Sequence, residues 1–398
     1  MDITIHKNTS QASAVKPLTS ATTPGTKEPA KMMIEVKNLT KQYGEFRALD
    51  DVSLSIRKGE FVTLLGPSGS GKSSLLNLIS GMTSPTSGKI TIDGIDATNM
   101  PTNQRGLGMV FQNYALMPHM TVFQNIAFPL QVRKIGKEEI RRRVMDVLKL
   151  VQLEHVADRR PRALSGGQQQ RISLARCIVY NPSIILMDEP LGALDKKLRE
   201  DMQLEIKRLH AELGVTMLYV THDQDEALTM SDRIVLMRNG RIEQQGSPST
   251  LYFEPATVFS ADFIGSSNLL SGKMTVAGDE KRLDIGLASL AVPQVQAEAF
   301  SVGAAVVLLV RPENVRVSEA DAGVDGRNSL VATVKDTVVL GGVVRHFLTL
   351  KDGGEIISQD LNHPGMALPP RGSQVHVTWR YEDGRVLPAD LSFSKKQA

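Results

Sequence analysis

Short apolar runs alternate with amphipathic stretches from Met32 to about residue 238. Residues 32–36 (Met-Met-Ile-Glu-Val) predict a first strand. Residues 61–65 form another apolar run, followed by glycines, and residues 73–80 then take helical spacing. Residues 184–187 and 215–220 are further apolar runs of strand length. Between them, residues 195–213 predict a long amphipathic helix with Leu198, Met202, Leu204, Leu209 and Leu213 among its apolar positions. Strands interleaved with helices predict an α/β domain with a mainly parallel sheet. Residues 136–151 are charged and helical in pattern, interrupt that alternation, and predict part of a separate helical lobe.

The texture changes after about residue 265. Strand-like runs at 305–311, 315–317, 331–339, 345–350 and 374–379 are separated by turn pairs such as Gly341-Gly342, Asp352-Gly353 and Asp383-Gly384. This pattern predicts an all-β region, a small barrel or a pair of barrels. The boundary falls near Ile-Gly-Ser-Ser-Asn at 264–268. Three segments follow: a tail at 1–31, rich in Thr, Ser, Ala, Lys and Pro and expected to be disordered, an α/β domain at 32–264, and a β domain at 265–398.

Composition narrows the function classes. The 46 basic and 43 acidic residues leave a net charge of +3, which gives no support for nucleic-acid backbone binding. No apolar run approaches the roughly 18 residues that span a bilayer, and the N-terminus lacks the apolar stretch of a secretory signal. The expectation is a chain kept in the cytoplasm, with any membrane role exercised through partners. Cys177 is the single cysteine, so there is no internal disulfide, and a buried structural role is expected of it.

The first chemical signal is Gly66-Pro67-Ser68-Gly69-Ser70-Gly71-Lys72-Ser73, followed by Ser74. It matches the P-loop pattern in full and sits between an apolar strand and a helix. Its glycines allow a tight turn that aims backbone N–H groups at phosphate oxygens, and the helix N-terminus adds partial positive charge. Lys72 is expected on the β- and γ-phosphates and Ser73 on Mg²⁺.

A P-loop does not name a family. The second block does: Leu164-Ser165-Gly166-Gly167-Gln168-Gln-Gln-Arg171 leads into a helix. With this run the chain resembles the ABC ATPases. Its Ser hydroxyl and Gly N–H groups at a helix start make a second anion site. The resemblance implies that Ser165, Gly166, Gly167 and Gln168 face the P-loop of a second ATPase subunit, with two ATP molecules sandwiched in a dimer. A third block, Ile184-Ile-Leu-Met-Asp188-Glu189-Pro190, ends an apolar strand in two carboxylates. Asp188 is expected to hold Mg²⁺ through water, and Glu189 to orient or deprotonate the attacking water.

Other family elements follow in order. Gln112 looks like the glutamine that senses Mg²⁺ and the γ-phosphate. Asp195, in Leu191-Gly-Ala-Leu-Asp195, looks like the loop that reaches across the dimer, although Gly192 stands where the family often has Ser. His222 looks like the histidine that hydrogen-bonds the γ-phosphate. Tyr43 stands where the family places an aromatic on adenine. Lys72, Glu189 and His222 are thus the expected catalytic set, with ATP and Mg²⁺ as cofactors.

The resemblance extends to about residue 395. Residues 112–122 resemble the loop by which importer ATPases meet a membrane subunit, with Tyr114, Leu116, Met117 and Met120 expected as an exposed patch. The β region resembles the accessory (TOBE-type) domain of importers for polyamines, sugars, sulfate, molybdate and ferric iron, and Arg311-Pro-Glu313 matches a tripeptide recurrent there. Segments at 195–199, 264–270 and 375–379 look most like spermidine/putrescine importers. The implied partners are a second ATPase subunit, two integral permease subunits and a solute-binding protein, at the cytoplasmic face of the inner membrane, with no nucleic acid. A ferric iron, sugar, sulfate or phosphonate importer, or a soluble ABC ATPase without a transport role, remain alternatives.

Overall fold

In the computed structural model, which describes residues 31–319 and 326–390, strand Phe61–Leu65 is buried at all five positions. It needs apolar residues on both faces because it lies inside a six-stranded sheet with cover on each side. The strand order is Arg241–Gly246, Arg233–Arg238, Phe61–Leu65, Thr216–Thr221, Ile184–Asp188 and Gly108–Val110. All neighbours are parallel except the Arg241–Gly246 edge strand. The expected α/β architecture is therefore present. Of the segment expected to be a disordered tail, only Lys31 lies within the described residues.

Side-chain alternation across this sheet builds two cores. Phe61, Met187 and Tyr219 join a cluster with helices Val122–Val132, Lys137–Leu150 and Gly166–Ile178. The charged 136–151 segment thus packs its buried Ile140, Val144 and Leu148 in a helical region on that face. Val62, Leu64, Leu186, Leu218 and Val220 turn the other way. They pack on helix Lys72–Ser80 and on a four-stranded antiparallel sheet. Each fully buried aliphatic side chain contributes roughly 1.5–3 kcal/mol relative to exposure.

That four-stranded sheet runs in the order Phe46–Arg57, Met32–Tyr43, Ser87–Ile92, Ile95–Asp96. Beyond its first strand it escapes the sequence pattern. The Met32–Tyr43 strand has four register irregularities against Phe46–Arg57. Each one shifts the face to which apolar residues point and blurs the period of two.

The β region forms two five-stranded antiparallel sheets around one apolar core that includes fully buried Trp379. One sheet runs Ser289–Ala291, Glu280–Asp284, Asn268–Ala277, Ala305–Val310, Gly384–Pro388. The other runs Arg316–Ser318, Gln374–Arg380, Arg327–Val339, Val343–Leu350, Glu355–Leu361. Arg311, 4% exposed, fastens this region to the helices before it. Its guanidinium donates to the carbonyls of Tyr252, Ala261 and Ser266 and to Ser267 Oγ, and it lies 4.3 Å from the centre of the Tyr252 ring. Tyr252 in turn donates to Glu313 Oε1 at 2.6 Å. The Arg-Pro-Glu tripeptide is thus a structural joint. Among the described residues no helix is long and apolar enough to cross a membrane.

Candidate functional site

Parallel register brings three chain segments to the same end of the sheet. Leu65 pairs with Thr221, and Asp188 pairs with Val220. Gly66, Glu189 and His222 therefore leave the carboxyl ends of adjacent strands, where open α/β sheets place ligands.

The turn at Gly66 is closed to other residues. Gly66 has φ 153°, and a Cβ there would lie 2.3 Å from the carbonyl oxygen of Met237 and 2.9 Å from Ser70 Oγ. Gly71, at φ 101°, would drive a Cβ to 2.7 Å from the Ala48 carbonyl. Helix Lys72–Ser80 then starts with no side-chain cap, so its first-turn N–H groups remain available to an anion. Ser70 Oγ is buried and has no protein partner. Lys72, 5% exposed, donates to the carbonyls of Gly66 at 2.8 Å and Pro67 at 2.9 Å. Burial lowers its ammonium pKa, against the opposing pull of Glu189 and Asp188. Pro67 is partly buried, Ser74 likewise, and Ser68 and Gly69 are exposed.

The carboxylates sit beside the loop. Ser73 Oγ donates to Asp188 Oδ1 at 3.2 Å. Burial raises the Asp188 pKa, and the adjacent Glu189 adds to the rise, while Ser73 and Lys72 oppose it. Glu189 adopts φ 42°, a left-handed conformation uncommon for a non-glycine residue and frequent at functional sites. Its N–H donates to the Val220 carbonyl at 3.0 Å. Its Oε2 lies 3.2 Å from His222 Nδ1, and the imidazole is exposed on the outer side.

The remaining expected residues lie at varying distance from this cluster. Gln112 is exposed, and its Nε2 comes within 3.8 Å of where a Cβ on Gly192 would sit. Tyr43 is 49% exposed, with the Lys41 ammonium 4.8 Å from its ring centre. Asp195 caps helix Lys196–Leu213 by accepting from the Leu198 N–H at 3.0 Å. Ser165 and Gln168 form a reciprocal capping box. A Cβ on Gly166 would come 3.2 Å from the Leu194 side chain, and one on Gly167 would lie 2.7 Å from that of Leu198. The helix they start belongs to the core shared with the helical region, whereas the P-loop helix belongs to the other core. Within one chain the two helix starts therefore stand on opposite faces of the sheet.

The residues present fit a nucleotide with Mg²⁺. The turn at Gly66 and Gly71 has no room for a Cβ, and the buried Ser70 Oγ beside Gly66 has no protein partner. The paired Ser73 hydroxyl and Asp188 carboxylate are hard oxygen donors of the type Mg²⁺ takes.

One expectation needs correction. Tyr114 is buried at 9% exposure and joins the apolar core, and Leu116, Met117 and Met120 are half-buried, so the four do not form the expected exposed patch. Consecutive positive φ angles at Tyr114 (60°) and Ala115 (47°) turn the chain inward there. Arg176 holds that turn by donating to both carbonyls, at 2.9 and 2.7 Å. Beside it lies a groove of about 470 Å³ lined by Met109, Phe111, Met117, Phe128, Val132 and Tyr180. Sequence reading also does not single out Arg199 and Glu226, whose side chains approach each other beside Asp223, the residue after His222. The one local signal is the spacing of Asp223 and Glu226 at a helix start. There the Asp223 carboxylate accepts from the N–H groups of Asp225 and Glu226.

A family model for the ABC transporter matches residues 49–192, and one for the TOBE domain matches residues 308–387. The chain is 45% identical over 348 residues to the spermidine/putrescine import ATP-binding protein of Rubrobacter xylanophilus, covering 87% of this chain and 91% of that protein. The protein of the same name from Lawsonia intracellularis is 43% identical over 362 residues, 90% of this chain and 98% of the relative. Among solved structures, cbiO1 of Clostridium perfringens, part of the ABC transporter complex cbiONQ, is 30% identical. It aligns with a TM-score of 0.53 over 58% of this chain and 92% of its own. The ADP conformation of MJ1267, an ATP-binding cassette of an ABC transporter, is 30% identical with a TM-score of 0.51, over 56% and 96%.

Proposed function

This chain belongs to the ABC transporter family, and we propose that it is the ATP-hydrolysing subunit of a polyamine importer. The observation that carries the chemistry is the grouping of Lys72, Ser73, Asp188, Glu189 and His222 at the carboxyl end of the parallel strands. The names of relatives that match nearly their full length support spermidine and putrescine as cargo.

On this reading residues 32–264 are the ATPase domain and 265–398 the accessory domain. The P-loop backbone from Gly66 to Ser74 cradles the phosphates, and Lys72 leaves its carbonyl partners to meet them. Tyr43 stacks on adenine. Ser73, Asp188 and Gln112 would hold Mg²⁺, which when bound neutralises charge on the phosphates. Glu189 orients the attacking water and takes its proton. His222, fixed by Glu189 through Nδ1, presents its other nitrogen toward the γ-phosphate. Ser165, Gly166, Gly167 and Gln168 close the site of a second copy, because their helix start lies across the sheet from their own P-loop. Asp195 lies in the loop that reaches across that dimer.

The groove at Met109, Phe111 and Met117 suits an apolar helix of a permease subunit. Two such subunits and a solute-binding protein complete the importer and hold this chain at the cytoplasmic face of the inner membrane. The test is Mg²⁺-ATP hydrolysis by the assembled complex with and without polyamine-loaded binding protein. Stimulation by the loaded protein supports the reading. Stimulation only by a protein loaded with iron, a sugar, sulfate or a phosphonate would reassign the cargo.

A further inference from the structure

Arg199 lies in the first turn of helix Lys196–Leu213 and reaches two loops at once. One guanidinium nitrogen donates to the Leu194 carbonyl at 3.1 Å, within the loop that ends at Asp195. The other donates to Asp223 Oδ2 at 2.9 Å, the residue after His222. Its Nε is buried without a hydrogen-bond partner and lies 3.9 Å from Glu226 Oε1.

The far side of this contact is rigid. Glu226 is 3% exposed, and its Oε2 accepts from Tyr219 Oη and from Thr221 Oγ1, each at 2.7 Å. Thr221 Oγ1 also accepts from the Asp223 N–H at 2.9 Å. Asp223 Oδ1 accepts from the N–H groups of Asp225 and Glu226. His222 is therefore gripped on both sides, at Thr221 and at Asp223, by groups that converge on Arg199 and Glu226. A planar guanidinium can hold several acceptors in fixed directions, which a lysine ammonium cannot.

We propose that Arg199 is a positioning residue that ties the loop at 191–195 to His222 and so couples the two ATP sites of the dimer. This rests on the reading above, in which Asp195 serves the partner's site while His222 serves its own. A shift of Leu194 on closure of one site pulls on Asp223 through a single side chain, and the neighbouring imidazole moves with it. The orphaned Nε marks a contact with Glu226 that a displacement of under 1 Å would complete.

The experiment measures ATP hydrolysis against ATP concentration in the assembled importer, with nucleotide binding and thermal melting of each variant alongside. The wild-type curve is expected to be sigmoidal, since two coupled sites permit a Hill coefficient of up to two. In Arg199→Ala the Hill coefficient should fall toward one and kcat by about tenfold or more. ATP binding should stay within about twofold, because no phosphate contact is removed. Asp223→Asn keeps the helix cap but removes the ion-pair partner, and should give the same curve. The double variant should be no worse than either single one, as expected of residues acting as a unit. If Arg199→Ala melts early, Asp223→Asn carries the test alone. A non-cooperative wild type, or a wild-type curve in Asp223→Asn or in a stable Arg199→Ala, overturns the coupling. His222→Ala separates the two levels. A dead His222→Ala beside a cooperative Arg199→Ala sinks only the coupling, whereas an active His222→Ala sinks the site assignment beneath it.

Discussion

Glu189 and His222 touch through Oε2 and Nδ1 at 3.2 Å, although they follow the ends of different strands. The contact sets which imidazole nitrogen faces the carboxylate and leaves Nε2 as the nitrogen proposed for the γ-phosphate. It also joins Glu189, the proposed proton acceptor, and His222, the proposed partner of the γ-phosphate, in one unit.

Glu189→Gln preserves the shape of this pair and removes its ability to take a proton. Hydrolysis should fall by roughly 10²–10⁴-fold while ATP binding persists. The ATP-bound dimer should then accumulate, and size-exclusion chromatography with saturating Mg²⁺-ATP should show it. A monomer under those conditions would count against the sandwich.

Lys72→Ala should abolish both hydrolysis and tight nucleotide binding, read by a fluorescent ATP analogue. It also leaves the Gly66 and Pro67 carbonyls without their buried donor. The melting temperature should drop modestly as well, since an unmet buried acceptor costs on the order of 1–3 kcal/mol.

Asp188 should show the opposite sign. Its folded pKa is raised by burial, so the native state binds its proton more readily than the unfolded chain. Stability from this group is therefore greatest at low pH and declines as pH rises through the folded pKa. At neutral pH the half-buried charge is a standing cost. Asp188→Asn should melt higher than wild type in the absence of nucleotide at pH 7, and lose Mg²⁺-dependent turnover. A lower melting temperature would show that the hydrogen bond from Ser73 outweighs desolvation.

Cys177 is buried, and burial pushes its thiol up to about 12. It should resist thiol reagents in the folded protein and react after denaturation. Cysteines introduced at Ser165 and at Ser68, both exposed, can then be crosslinked without interference. Crosslinks that form between chains only with ATP support the trans site, and crosslinks confined to one chain reject it.

The P-loop was legible because its chemistry is local: glycine spacing and Lys72 are fixed by the turn itself. The alternation of strands and helices was legible for a similar reason, since strands buried on both faces such as Phe61–Leu65 are apolar throughout. What stayed hidden depends on distant pairs. The antiparallel sheet is obscured by bulges in Met32–Tyr43. Tyr114 is drawn inward by a backbone turn held by Arg176, about 60 residues away in sequence. Arg199 has an unremarkable place on an amphipathic helix, and only the fold sets it against Asp223 and Glu226. Asp195 mixes both cases: its position before a helix signals a cap, while the loop's reach toward a partner rests on family resemblance.

The most direct test of the account is uptake of labelled putrescine and spermidine by cells whose other polyamine carriers are deleted. Uptake should require this chain, return with the wild-type gene and stay absent with Glu189→Gln. Uptake that is unchanged without the chain, with loss instead of growth on ferric iron, a sugar or a phosphonate, would contradict polyamine import.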